Sequence, residues 1–249
     1  LQDNCDDQVW SFNSGKRPVW QMRGFESLYD GAIAQIDHEI GRLVNALKTR
    51  GEWNDTLFII TADHGEGFGE PSEVRPDAVI TGHGAGIHES QLHVPLIVKF
   101  PGQKVGVTHD MPVSLTDTPR AVRASLSGDW ETDEYITDTP VLASSHGLEE
   151  PMEERASKFV DDLWLYNGDC RALYTEGEDY VEKQLTWRDD YDSVVNVHNA
   201  QVSQLMRNES ASEVRRAFTE LIDASVQGSS SDVNLSSTTE QHLENLGYM

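Results

Sequence analysis

The sequence is poor in basic residues, and it has no long apolar run. Its 249 residues include 19 Lys and Arg against 43 Asp and Glu, which gives a formal net charge of −24. Such a surface repels nucleic acid and anionic membranes, so we expect neither as a partner. No stretch approaches the ~18 consecutive apolar residues of a membrane span. The acids are spread along the whole chain, which is typical of acidic proteomes in salt-adapted organisms (halophiles), and we expect a salt-rich cytoplasm.

Cysteine is also scarce. Cys5 and Cys170 lie far apart, and neither has a second Cys or a His at the spacing of a zinc site. We therefore expect two thiols, with one disulfide between them as the alternative.

Apolar periodicity predicts the elements of the first half. Residues 26–50 carry apolar side chains at three- and four-residue steps, which predicts an amphipathic helix ending at Gly51. Leu57–Ile60 and Val94–Val98 are continuous apolar runs, typical of strands buried on both faces of a parallel sheet. A helix capped by Thr116 or Asp117 is predicted, with a proline in its first turn and its end near Gly128.

The pattern from residue 129 onward is shorter and alternating, which predicts a smaller α+β subdomain. Its capping-box helix opens at Ser210, and a last short helix is stopped by Gly247. We place the domains at residues 1–128 and 129–249. The predicted antiparallel strands are Tyr135–Ile136, Val141–Ala143, Leu163–Tyr166 and Ala172–Tyr174.

Polar residues follow the first apolar run at once. Ligands of open α/β sheets bind beyond the carboxyl ends of the strands. Asp63 and His64 there, followed by glycines, suit a divalent metal, with a strand ending in a polar turn as the alternative. The Gly-, Glu- and His-rich loop of residues 65–91 adds His83 and His88. The imidazole of His83 can donate a proton or stabilise a developing anion, with a solvated side chain as the alternative.

Four stretches stand in a characteristic order along the chain. They are Tyr29-x-x-x-Ile33-x-x-x-Asp37; Thr56-Leu-Phe-Ile-Ile-Thr-Ala-Asp63-His64-Gly65-Glu66; Gly82-His83-Gly84 followed by Glu89 and His93-Val94-Pro95; and Leu243-x-x-Leu246-Gly247-Tyr248. Together they resemble the sulfatase family of the alkaline-phosphatase superfamily. The resemblance implies an α/β fold: part of an α/β/α sandwich with a mostly parallel sheet over residues 1–128, and a smaller C-terminal α+β subdomain.

The resemblance also implies roles for the polar residues. Asp63 and His64 would ligate a divalent cation, usually calcium in this family, although an imidazole suits manganese or zinc equally well. His83 would be catalytic, protonating the leaving oxygen or contacting the sulfate. His88 and His93 are candidate substrate contacts, and Glu89 is expected to orient the loop.

The family's nucleophile is missing from the sequence. It is a Cys or Ser in a Cys/Ser-x-Pro-x-Arg motif, oxidised to formylglycine, and we expect it upstream. The resemblance thus implies the C-terminal part of a hydrolase of small-molecule or carbohydrate sulfate esters, inactive by itself. A phosphate or phosphonate ester hydrolase of the same superfamily and a non-catalytic binding remnant are the alternatives.

Overall fold

The computed structural model describes residues 9–71, 79–83, 86–177, 180–188, 191–198, 202–207 and 211–223. The chain divides into two compact units, residues 1–215 and 216–249. Three predicted features lie outside the described residues: Cys5, the capping residue Ser210, and the last helix with the Leu-Gly-Tyr end that follows it. The predicted domain boundary after residue 128 stays a prediction.

The long amphipathic helix is confirmed as α1, Met22–Arg50, and it ends at Gly51, which has a left-handed φ of 75°. Within the described ranges, no helix is long and apolar enough to cross a membrane. Four further α-helices have both ends within the described ranges: α2 (Glu89–Leu92), α3 (Thr118–Ser127), α4 (Met152–Ser157) and α5 (Ser212–Asp223).

The two apolar runs form strands, as predicted, but they pair with each other. β1 (Phe58–Thr61) lies antiparallel to β4 (Leu96–Lys99). In the sequence between these two strands, β2 (Gly67–Pro71) and β3 (Val79–Gly82) pair with each other as a separate antiparallel hairpin. The described strands are mixed with helices in an α/β arrangement, but the sheets are small and antiparallel. The predicted mostly parallel sandwich is therefore not confirmed.

The second half of the chain contains a five-stranded antiparallel sheet in the order β5-β6-β7-β8-β9. The predicted strands at 141–143 and 172–174 are confirmed within the first two of its strands. These strands are β5 (Val141–Ser145), β6 (Cys170–Glu176), β7 (Val181–Trp187), β8 (Tyr191–His198) and β9 (Val202–Arg207).

Two other predicted strands are wrong. Leu163–Leu165 is a 3-10 helix whose leucines pack against buried Trp10 and Tyr166. Residues 135–136 lie at the end of a turn, where Tyr135 is buried and its hydroxyl donates to Oγ1 of Thr118. In each stretch one tyrosine, Tyr135 or Tyr166, is buried without strand geometry, so short apolar runs did not distinguish a strand from a turn.

The loop before α2 packs on one face of the five-stranded sheet. Ile87 is buried in a cluster with Cys170, Ala172, Leu185, Trp187 and Val195. Arg215 donates to Asp192 at the start of β8 (Nη2 to Oδ1, 2.5 Å), and this hydrogen bond lowers the pKa of the Asp192 carboxyl. The sheet thus holds the loop between β3 and β4, which carries several of the candidate site residues.

Candidate functional site

The register of the β2–β3 hairpin brings Glu66 and His83 together. Gly67 pairs with Gly82, so the residue before β2 lies opposite the residue after β3. Nδ1 of His83 is 3.0 Å from Oε2 of Glu66. Because a carboxylate oxygen accepts, the ring donates from Nδ1, and the lone pair of the neutral ring lies on Nε2. Glu66 is the less exposed of the two side chains, so its carboxylate supports the ring from the protein side.

His64 follows β1 and its ring stacks on that of His83. The ring centroids are 4.0 Å apart, and the ring planes differ by 22°. Nδ1 of His64 is 2.9 Å from the carbonyl oxygen of Gly65, which can only accept, so Nδ1 carries the proton of the neutral ring. Nε2 is then the nitrogen of His64 that can coordinate a metal.

The ligand atoms of His64, Glu66 and His83 all lie within 4.8 Å of one another, and we call these three residues the histidine cluster. Around a tetrahedral zinc ion, ligand atoms are roughly 3.4 Å apart at bond lengths of about 2.1 Å, so the most widely separated pair of ligand atoms would move at most about 1.4 Å closer on binding. Two imidazoles and a carboxylate suit zinc or manganese, whereas calcium prefers oxygen. The donor set fits a divalent metal, and calcium stays a prediction.

Asp63, the other predicted ligand, lies beside the histidine cluster. Its Oδ1 accepts from the N–H of His64 at 3.0 Å, and its Oδ2 is 3.7 Å from Nε2 of the same residue. The side chain is 60% exposed, so it has room to turn toward a cation at Nε2. Coordination by Asp63 stays a prediction.

The two predicted substrate contacts, His88 and His93, flank α2. Nδ1 of His88 accepts from the N–H of Ser90 at 3.1 Å, and Oε1 of Gln91 accepts from the N–H of His88 at 3.3 Å, which forms a capping box. One ring nitrogen of His88 thus supports the start of the helix. His93 is exposed, and its N–H donates to the carbonyl oxygen of Glu89. A substrate contact at either residue stays a prediction.

Glu66 has no predicted role from the sequence, although it belongs to the same motif as His64. The sequence feature that could have identified Glu66 is the Asp-His-Gly-Glu order, which places its carboxylate two positions after His64. The contact between Glu66 and His83 spans 17 positions and depends on the hairpin register, which the sequence pattern does not reveal.

Residues 2–123 match the family model described as Sulfatase. This segment contains the whole histidine cluster as well as Asp63, His88 and His93. The match therefore covers every predicted site residue and leaves the five-stranded sheet outside it.

Curated proteins with related sequences carry sulfatase and phosphatase names. The chain is 35% identical over 83 residues to the multifunctional alkaline phosphatase superfamily protein PehA of Trinickia caryophylli. This match covers 33% of the chain and 15% of the relative. It is 30% identical over 104 residues to arylsulfatase K of Danio rerio, and this match covers 42% of the chain and 18% of the relative. It is 33% identical over 100 residues to an arylsulfatase of Clostridium perfringens, and this match covers 39% of the chain and 19% of the relative.

The chain spans less than a fifth of the length of each of these relatives, at 15%, 18% and 19%. No solved structure matches the chain.

Proposed function

Because this chain belongs to the sulfatase family through residues 2–123, we propose that it carries part of the active site of a sulfate ester hydrolase. The observation that carries the proposal is the stacking of His64 on His83 with Glu66 beside them. These side chains bring two imidazoles and a carboxylate together within the segment that matches the family.

His83 is the proposed proton donor to the leaving oxygen of the ester. Glu66 fixes the ring at Nδ1 and balances the charge of its protonated form, so Nε2 is the nitrogen that delivers the proton. When the bond between sulfur and the leaving oxygen breaks, its electron pair stays on that oxygen. A proton from Nε2 neutralises the resulting charge.

Asp63 and His64 are the proposed ligands of a divalent metal ion. Calcium, manganese and zinc are the candidates, and the imidazole of His64 favours the last two. When bound, the ion would supply positive charge for the non-bridging oxygens of the sulfate group. Since the His64 ring stacks on the His83 ring at 4.0 Å, a sulfate ester held near His64 lies within reach of the proposed donor.

The nucleophile is proposed to come from polypeptide outside this sequence, as a formylglycine residue. No Cys or Ser of the chain stands in a Cys/Ser-x-Pro-x-Arg motif, and covalent catalysis requires such a group. The chain by itself is therefore proposed to be inactive. The proposed substrates are sulfate monoesters of small molecules or carbohydrates.

The test uses the full-length protein with 4-nitrophenyl sulfate as substrate and elemental analysis of bound metal. Asp63→Ala and His64→Ala are expected to lose turnover and metal together. His83→Ala is expected to lose turnover by about 10²–10⁴-fold, as for removal of a general acid, and to keep its metal. His109→Ala is the control, because His109 is exposed and lies outside the histidine cluster.

Two results would count against these roles. Normal turnover in Asp63→Ala would end the proposed metal-dependent function. Loss of metal from His83→Ala would make His83 a third metal ligand in place of a proton donor.

A phosphate or phosphonate ester hydrolase is the second candidate, supported by the 35% identity to an alkaline phosphatase superfamily protein. Sulfate and phosphate esters are both tetrahedral and rich in oxygen, so the histidine cluster suits either. Relative rates on 4-nitrophenyl sulfate and 4-nitrophenyl phosphate distinguish them. A folded full-length protein that hydrolyses neither ester would favour the non-catalytic binding remnant.

A further inference from the structure

The segments that carry the two stacked histidines are both bonded to one residue of α2. The carbonyl oxygen of Gln91 accepts from the N–H of Gly65, which follows His64, at 2.7 Å. Nε2 of the Gln91 side chain donates to the carbonyl oxygen of Gly82, which precedes His83, at 3.1 Å. Gln91 is 5% exposed, so water does not compete freely for these two bonds. The position of α2 therefore fixes the spacing between the two histidine-bearing segments.

The helix α2 cannot fix its own position, because four residues form a single turn and isolated short helices are marginal. Its anchor is Glu89, which is 3% exposed and accepts two hydrogen bonds from the five-stranded sheet. Nζ of Lys183 on β7 lies 2.8 Å from Oε2, and the hydroxyl of Tyr174 on β6 lies 2.9 Å from Oε1. We call Glu89, Tyr174 and Lys183 the buried triad.

Lys183 is fully buried and contacts α2 and the loop before it. Besides Glu89, its ammonium group donates to the carbonyl oxygen of Ile87. A buried ammonium and a buried carboxylate each lose hydration, and they are tolerated where they pair and make further hydrogen bonds. Displacing α2 would leave both charges without these partners, so the buried triad resists that displacement.

We propose that the buried triad is a positioning network for the histidine cluster, acting through α2 and Gln91 on the segments that hold His64 and His83. Glu89, Lys183 and Tyr174 do not touch the reacting groups in this proposal; they set the distance between the residues that do. The inference rests on the proposed function of the histidine cluster. It makes the five-stranded sheet, outside the family match, a requirement for the site.

The experiment compares Lys183→Met and Glu89→Gln with the parent full-length protein in two measurements. The first is the affinity for Co²⁺, read from its visible absorption band. The second is hydrogen exchange of the Gly65 amide, which reports directly on its bond to Gln91. We expect Co²⁺ affinity to fall about 10–100-fold, because loss of the bond between Gly65 and Gln91 frees the segment that carries the proposed ligands Asp63 and His64. We expect Gly65 exchange to rise at least about tenfold.

Arg215→Met is the matched control. It removes the ion pair between Arg215 on α5 and Asp192 on β8. Neither residue belongs to the bonds described above between the buried triad, α2 and the histidine-bearing segments. Both measurements are expected to stay within about twofold of the parent in this variant, even if its thermal stability falls. The double variant Glu89→Gln/Lys183→Met leaves no buried charge unpaired, so it keeps the test decisive if a single variant fails to fold. It is expected to loosen the site in the same way.

Parent-like Co²⁺ affinity and Gly65 exchange in folded triad variants would overturn the proposal and leave the buried triad with a role in stability alone. Failure of the proposed function is a different result. In that case the parent protein binds no Co²⁺ and hydrolyses no ester, while Gly65 exchange still decides whether the triad positions the segment.

Discussion

Gly65 lies at a point of backbone contact between two segments of the candidate site. A Cβ atom added here would lie 2.0 Å from the carbonyl oxygen of Ser90 and 3.3 Å from Cα of Gln91. Both neighbours are backbone atoms, which cannot rotate away as the end of a side chain can. The absence of a side chain thus lets the segment after His64 lie against α2 and donate to Gln91.

Gly65→Ala is expected to lower the free energy of unfolding by about 1–3 kcal/mol, because the added methyl group forces the two backbones apart. Urea unfolding followed by circular dichroism measures the change. Gly106→Ala serves as the control, since Gly106 is exposed and an added Cβ meets no atom within 4 Å; its effect should stay within about 0.5 kcal/mol. Equal stabilities of the two variants would contradict the close contact.

The helix α1 is specified by local signals at its end and by periodicity along its length. Lys48 and Arg50 lie in the last turn, where the helix dipole favours cations, and Gly51 supplies the left-handed residue that ends the helix. Its apolar stripe is more than half exposed in the described structure at Leu28, Ile33, Ile36 and Leu43. Periodicity therefore predicted the helix correctly without revealing what its apolar face contacts.

Two glycine substitutions in and after α1 are expected to have opposite effects. Gly51→Ala should lower the free energy of unfolding by about 1 kcal/mol, because its φ of 75° strains a residue with a Cβ atom. Gly41→Ala, within the helix and with no atom within 4 Å of the added Cβ, should raise it by about 0.5–1 kcal/mol. Thermal and urea unfolding measure both, and a change of the same sign would contradict the assigned end of α1.

The net charge of −24 affects the stability of the folded protein as a whole. Like charges repel one another more strongly in the compact state than in the expanded unfolded chain. Added salt shortens the range of that repulsion from about 10 Å at 0.1 M to about 3 Å at 1 M. A salt-rich cytoplasm, which we propose as the location, would reduce this repulsion.

The melting temperature is therefore expected to rise by several degrees between about 0.1 M and about 1 M KCl at neutral pH. The control is the same KCl series near pH 4, where many carboxyl groups are protonated. The rise in melting temperature with salt should be smaller there. Differential scanning calorimetry measures both. A melting temperature that is independent of salt at neutral pH would contradict the proposed role of charge.

Local patterns account for the elements that could be predicted. The helix α1, the strands β1 and β4, and the end of α3 at Gly128 each follow from periodicity, a continuous apolar run or a terminating glycine. The pairing direction of the strands did not follow. A continuous apolar run is typical of a parallel sheet, yet β1 and β4 pair antiparallel, because pairing is set by tertiary contacts that the run does not encode.

Some residues of the candidate site also follow from local patterns, whereas others depend on tertiary contacts. Asp63, His64 and His83 are proposed site residues because they stand in motifs whose order resembles that of the sulfatase family. Glu66 enters the histidine cluster through the register of the β2–β3 hairpin, and Lys183 meets Glu89 across 94 positions of sequence. Neither contact leaves a local pattern.

By itself the sequence determined the acidic surface, the main helices, the apolar strands and the motif residues, because each depends on composition or on neighbours a few positions apart. The tertiary structure alone decided which carboxylate orients His83 and which cation is buried against Glu89. Those choices depend on desolvation and hydrogen-bond geometry, and these exist only once distant segments have packed together.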